Sequence, residues 1–209
     1  MRIVIKVGGS FQKAPSALRS VCMTIEEISK KHRLLIVPGG GKFADLIRDI
    51  QTKLGLSDRV AHQMAILGMD IYGLALSEFL KDFALVDDLK NREGENQIFL
   101  PYRTLKDSNE LEPSWKVTSD TIAAWTCSKT DFEKLILIKR VDGIHIQGKL
   151  RKSISTEELK EMNQTVVDQN LFHILEDAEL DCWIINGEHP SRIKSLIEGK
   201  ETICTMIYS

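Results

Sequence analysis

IKVGGS, residues 5–10, and LLIVPGGGKFAD, residues 34–45, follow one pattern: an apolar run of strand length, then glycines. The first run reads as a strand over 2–7 and the second as a strand over 33–37, stopped by Pro38 and Gly39-Gly40-Gly41. Continuous apolar runs of this length mark strands covered on both sheet faces, as in parallel sheets. The first run also ends on an ammonium, Lys6, immediately before side-chain bulk disappears at Gly8-Gly9.

Outward from these two runs, helical and strand patterns alternate. Helical spacing covers 15–31, 42–54 and a long segment that Ser57-Asp58 would cap and that would reach Phe83. A short strand is predicted at 97–100, then a polar loop over 106–116 containing Pro113. Thr118 or Ser119 would cap a helix starting near Asp120. Strands are predicted at 135–138, 182–185 and 202–207, and helices at 156–162, 170–178 and 190–198. The alternation predicts a three-layer α/β/α sandwich with a mostly parallel central sheet, organised as one domain over residues 1–209. In such sheets ligands bind at the carboxyl ends of strands, where the turns after residues 7, 38, 142 and 186 would all fall.

Composition narrows the function classes. With 28 Lys and Arg against 30 Asp and Glu, there is no basic field or aromatic stripe for nucleic acid. No apolar run approaches a bilayer span. The N-terminus reads as a strand rather than a signal peptide, and Cys22, Cys127, Cys182 and Cys204 are scattered without a CxxC. Reduced thiols and a cytoplasmic location are expected. The five histidines lack zinc-ligand spacing, so no metal-ligating residues are assigned.

Two glycine turns at strand ends suit a polyphosphate. Backbone N–H groups can approach phosphate oxygens there, and the following helix N-termini favour negative charge. Lys6 would neutralise charge on a phosphoryl group in flight. Asp120 would orient ammonium groups or hold magnesium, or would simply be an acid favoured by a helix N-terminus. A Walker A loop is excluded because Phe43, not Ser or Thr, follows Gly41-Lys42. Residues 39–44 meet a dinucleotide fingerprint only loosely, without the confirming acid.

IKVGGS, VPGGGKFAD, VTSDTIAAW, VDGI and INGEHPSRIKSLIEGKETICTMI stand in the order seen in the amino acid kinase family, which the chain resembles over its full length. The resemblance implies an α/β/α sandwich that transfers the γ-phosphoryl of ATP, with Mg²⁺, to a small-molecule acceptor, and a homo-oligomer. The short chain, Trp115 before Thr118-Ser119-Asp120, His189-Pro190 after Asn186-Gly187, and AHQMAILGMDIYG are similar to the small archaeal kinases of methanofuran biosynthesis. Those phosphorylate an aminomethylfuran-methyl phosphate to its diphosphate. The resemblance assigns catalysis to Lys6 and Asp120, and nucleotide binding to Gly8, Gly9, Ser10 and Lys139, Arg140, Val141, Asp142 and Gly143. Gly39, Gly40, Gly41, Asp45, His62, Trp115, Thr118 and Ser119 fall on the acceptor side. His62 is otherwise an ordinary helix-surface histidine, and Trp115 otherwise packs under its loop.

Departures from the family pattern keep other readings open. Lys139-Arg140 stands where many members have Thr-Asp, and the loop after Ile144 is short. The helix LFHILEDAEL, residues 171–180, lacks the second lysine of many carboxylate kinases, a charge that Lys139 or Arg140 would have to supply. UMP, isopentenyl phosphate or a carboxylate are alternative acceptors. A non-catalytic nucleotide- or anion-binding protein on the same fold is the reading from another class.

Overall fold

The computed structural model describes residues 1–90 and 95–209. Its main sheet has eight strands, with β1 (Arg2–Val7) near the centre. On one side of β1 lie β2 (Arg33–Pro38), β4 (Asn96–Phe99) and the edge strand β3 (Phe83–Val86). On the other lie β5 (Lys134–Lys139), β9 (Cys182–Asn186), β10 (Cys204–Tyr208) and the edge strand β8 (Ser153–Ser155). All neighbouring pairs are parallel except β9 with β10. The α/β architecture read from the alternating pattern is the one observed.

Register explains why the glycine turns meet. Val7 is opposite both Pro38 and Ile138, and Lys139 is opposite Asn186. Four parallel strands thus end in one row, and the loops after β1, β2, β5 and β9 open at the same edge.

Side-chain alternation then assigns the faces. Ile3, Ile5 and Val7 enter the apolar layer under α1 (Pro15–Ser29) and α8 (Pro190–Ile197), with Val21, Ile25 and Ile193. Val4, Leu135 and Leu137 enter the opposite layer with Ile122 of α5 (Ser119–Ser128) and Leu171 of α7 (Leu171–Asp177). Lys6 and Lys139 share the parity of that second set, so both point towards α5. Between the edge loops, α2 (Gly41–Leu54) lies beside α3 (Asp58–Ser77). Ser57 caps α3 by accepting from Val60 N at 3.4 Å. The inner face of α3 spans both layers, through Ile66 and Met69 on one side and Tyr72 and Leu76 on the other. Its outer face leaves Val60, Leu67, Ile71 and Leu74 exposed.

One expectation needs correcting, and some short elements carry no signal in the sequence. The long helix stops at Ser77 and does not reach Phe83, which instead opens strand β3 (Phe83–Val86). Four residues, FALV, are too few to show alternation, and pairing with β4 decides their state. A four-residue helix, α4 (Tyr102–Leu105), precedes the polar loop. After Ile144 a short hairpin of β6 (His145–Ile146) and β7 (Lys149–Leu150) leads into β8 and into the expected helix, α6 (Thr156–Glu161). Such strands are too short for a periodic signal. All four cysteines are free, and among the described residues no helix is long and apolar enough to cross a membrane.

Candidate active site

The ammonium at the end of β1 is buried, and its partner waits on α5. Lys6 Nζ lies 2.7 Å from Asp120 Oδ1, and Lys139 Nζ lies 2.6 Å from Asp120 Oδ2. One carboxylate therefore carries an ammonium on each oxygen, with Lys6 and Asp120 side chains about one-twentieth exposed. Burial alone would raise the Asp120 carboxyl, but Lys139 and Lys6 together outweigh it and hold the group down at about 2. Desolvation pulls the Lys6 ammonium below its ordinary value despite Asp120, and the nearby Lys139 charge adds to the fall.

Asp120 owes its place to how α5 begins. Thr118 occupies the cap position, yet its hydroxyl makes no cap bond to the helix. Instead Asp168, fifty residues on, accepts from Thr118 N at 2.9 Å, Thr118 Oγ1 at 2.8 Å and Thr121 N at 3.0 Å. Thr121 Oγ1 donates to its other oxygen. This carboxylate replaces the expected Thr or Ser cap and fixes the first turn from outside. Burial raises the Asp168 carboxyl, the Asp120 charge raises it further, and the threonine hydrogen bonds oppose both.

The glycine loops pack on each other. A Cβ on Gly9 would lie 2.2 Å from Gly41 N, and one on Gly39 would lie 2.4 Å from Gly9 N. Gly41 also has φ +54°, in the left-handed region. Gln12 staples the loops, accepting from Lys42 N at 2.8 Å and donating to Gly40 O at 3.4 Å. These glycines are thus required first by the mutual approach of two backbones.

Above Lys6, Asp120 and Lys139 opens a cleft of about 970 Å³. Gly8, Gly9 and Ser10 form one wall, Arg140 and Val141 another, and Gln164 to Asp168 a third. A smaller pocket of about 160 Å³ adjoins it beside α2, lined by Asp45, His62, Trp115 and the apolar Ile66, Met69 and Ile122. Gly40, Gly41, Thr118 and Ser119 line both spaces.

Most residues singled out in the sequence therefore converge on one edge. Asp142 and Gly143 do not line the cleft. The Asp142 carboxylate accepts from Arg192 Nη1 at 2.6 Å and Asn186 Nδ2 at 2.9 Å. Gly143 is packed against Thr205, whose Oγ1 would lie 2.2 Å from a Cβ there. Through these contacts both residues brace the loop after β5. Gly39 sits behind the loops, its N–H donating to Val7 O at 2.9 Å. His62 is buried, not a surface histidine, and burial lowers its imidazole below the ordinary value. In the basic run after the hairpin, Arg151 and Lys152 pair with Glu158 and Glu201, away from the cleft.

Sequence reasoning missed Asp168 and Arg48, both of which face these spaces. Asp168 stands alone in a polar stretch, and Arg48 lies on the polar side of an amphipathic helix. Neither position carries a local signal.

A parallel α/β sheet with a cleft at its carboxyl edge, floored by two ammoniums on one carboxylate, defines a class of phosphate-handling protein. The chain belongs to the amino acid kinase family, whose sequence profile matches residues 1–186. It is a kinase of that family, and the family's enzymes use ATP. The [5-(aminomethyl)furan-3-yl]methyl phosphate kinase of Methanocaldococcus jannaschii is 33% identical over 213 residues, covering 98% of this chain and 96% of that one. The uridylate kinase of Sulfurisphaera tokodaii is 26% identical over 231 residues, covering 96% of each. Among solved structures, uridylate kinase from Archaeoglobus fulgidus superposes with a TM-score of 0.78 at 19% identity, covering 99% of this chain and all of that one. UMP kinase from Ureaplasma parvum gives 0.76 at 20% identity, covering 100% and 99%. At those identities the two structures speak for the fold.

Proposed function

We propose that the chain transfers the γ-phosphoryl of ATP to a small phosphate monoester, with [5-(aminomethyl)furan-3-yl]methyl phosphate the leading candidate acceptor. The observation that carries this reading is the carboxylate of Asp120 braced by Lys6 and Lys139 between the two glycine loops. An acceptor phosphate oxygen attacks the γ-phosphorus, the bond from phosphorus to the bridging oxygen breaks, and ADP leaves with a diphosphate ester formed. A phosphate monoester has its second pKa near 6, so at neutral pH its oxygen attacks without a general base. Asp120 is unsuited to be one: both oxygens are engaged and the group is held near 2. Its role is to aim two ammoniums at charge spreading over the transferred phosphoryl group.

Lys139 supplies the charge that many carboxylate kinases of the family take from a lysine on the helix before β9. Gly8, Gly9, Ser10, Arg140 and Val141 border the space for the nucleotide phosphates. Among the described residues no cluster of three or more His, Cys, Asp or Glu side chains is placed to hold a metal, and the lysines occupy Asp120. The donor set does not fit a magnesium ion held by the protein, so any Mg²⁺ arrives on the nucleotide.

The acceptor assignment draws on the name of the 33%-identical relative and on the pocket beside α2. A volume of about 160 Å³ with an apolar floor and one indole suits a single small ring. The test is ADP release from ATP and Mg²⁺ against [5-(aminomethyl)furan-3-yl]methyl phosphate, UMP, isopentenyl phosphate and acetylglutamate. Turnover with a phosphate monoester is the expected result. Turnover with acetylglutamate alone would overturn it, and ATP binding without turnover would favour a non-catalytic protein.

We also propose a homo-oligomer, for which the exposed apolar stripe on α3 offers a face. A light-scattering mass equal to the 23.7 kDa chain would overturn that.

A further inference from the structure

Arg48 has no part in the roles assigned above, yet its setting is built. It follows Ala44 and Asp45 by one turn on α2. Its guanidinium carbon stands 4.2 Å from the centre of the Trp115 ring. The indole is itself fixed: Trp115 Nε1 donates to Gln51 Oε1 at 2.6 Å, and Gln51 Nε2 donates to Asp58 Oδ1 at 2.7 Å. A guanidinium over an indole face is drawn to the ring while its donor edges stay available. Its one ion pair among the described residues is with Asp45, at 3.5 Å. That distance is long for a charge-assisted hydrogen bond. The fork is held in place and its donors are barely used.

The position gives these free donors a meaning. Arg48 lines both the small pocket and the large cleft, beside Gly41 and Ser119. It therefore stands at the passage between the two spaces. With the body of an acceptor in the pocket and ATP in the cleft, the reacting phosphate must lie in that passage. A planar fork suits two phosphate oxygens bidentately, leaving the third to attack.

We propose that Arg48 binds the acceptor phosphate and makes the enzyme select phosphate esters over the corresponding alcohols. This rests on the reading of the acceptor as a phosphate monoester. Asp45 steadies the fork in the empty pocket and gives way to the incoming dianion. Trp115 acts through Arg48, as the platform that holds it.

Calorimetry tests this on the whole chain, wild type and the variants Arg48→Ala and Arg48→Lys. The probes are [5-(aminomethyl)furan-3-yl]methyl phosphate, UMP and isopentenyl phosphate, each beside its dephosphorylated alcohol, with ATP titrated as a control. The wild type is expected to bind one ester at least about tenfold more tightly than its alcohol, a preference in the range of a charged hydrogen-bonded pair. Arg48→Ala should lose the preference while its affinities for the alcohol and for ATP stay within about twofold. Arg48→Lys should recover only part, because an ammonium keeps the charge without the planar fork. Undiminished preference in Arg48→Ala would overturn the proposal. Loss of ATP binding in that variant would also overturn it, by showing that Arg48 serves the fold. A wild type that prefers none of the esters would overturn the acceptor reading itself, a failure visible before any variant is compared.

Discussion

Lys139 Nζ donates to Asp120 Oδ2 at 2.6 Å, on the opposite side of the carboxylate from Lys6. Sheet parity produces this. Leu135, Leu137 and Lys139 alternate onto the α5 face of β5, as Val4 and Lys6 do on the neighbouring β1. The strand end thus delivers a charge that the lysine-free helix α7 does not.

Lys139→Met is expected to lower kcat by about 10²–10³, the usual cost of losing one donor aimed at transition-state charge. ATP affinity should change much less. Lys139→Arg should retain more activity than Lys139→Met. Steady-state kinetics with both substrates varied checks this, and near-normal kcat in Lys139→Met would remove Lys139 from the reaction.

Lys6 sets the alkaline limit. Desolvation lowers its folded value, so it loses its proton at a lower pH than an exposed lysine, ordinarily about 10.4. As pH rises, activity should begin to fall before that value is reached, and Lys6→Arg, weaker overall, should show no such limb because a guanidinium stays charged. The stability signs differ between the partners. Between the folded and unfolded values of Lys6 the unfolded chain binds more protons, so its contribution to stability grows as pH rises through that window. Asp120, held at about 2, stabilises the fold above the ordinary carboxylate range and loses that contribution as pH falls from about 4 towards 2. A pH series of denaturant midpoints and of kcat reads both.

Asp168→Ala leaves the donors of Thr118 and Thr121 without their acceptor at the start of α5. The expected loss is about 1–3 kcal/mol, the cost of stranding buried polar groups together with a helix cap. Activity should fall as well, because Asp120 rides on the same turn. Urea unfolding of Asp168→Ala and Asp168→Asn measures the first effect. A stability equal to wild type in both would show that water caps α5 equally well.

Much of this site was legible because its signals are local. Apolar runs marked β1, β2, β5 and β9, glycines marked their ends, and Asp120 stood at a helix start where a carboxylate invites notice. What escaped depends on contacts between distant segments. Asp168 caps a helix fifty residues earlier, and Arg48 differs from any solvated helix cation only through Trp115, which lies on another loop. VDGI reads as a ligand loop from its own residues, whereas its bracing by Arg192 and Thr205 is again a contact between distant segments. Phe83 reads as the end of the preceding helix because only pairing with β4 marks FALV as a strand.

Gly9→Ala separates what a glycine does for backbone approach from what it does for backbone freedom. A methyl at residue 9 would lie 2.2 Å from Gly41 N and 2.4 Å from Gly41 Cα. Both obstacles are backbone atoms, so no side-chain rotation relieves the clash, and the two loops must separate. Overpacking of this kind costs about 1–3 kcal/mol. Separation of the loops would widen the passage that Gly41 and Ser119 share, so kcat should fall by at least about tenfold, as expected for an ångström-scale misplacement of reacting groups. Gly199 is the control: its φ is +70°, yet no atom lies within 4 Å of an added Cβ. Gly199→Ala should lose about 1 kcal/mol from left-handed strain and leave kcat unchanged. Chemical denaturation and turnover of both variants are the measurements. Equal kcat in Gly9→Ala and Gly199→Ala would show that the contact between the loops is dispensable for phosphoryl transfer.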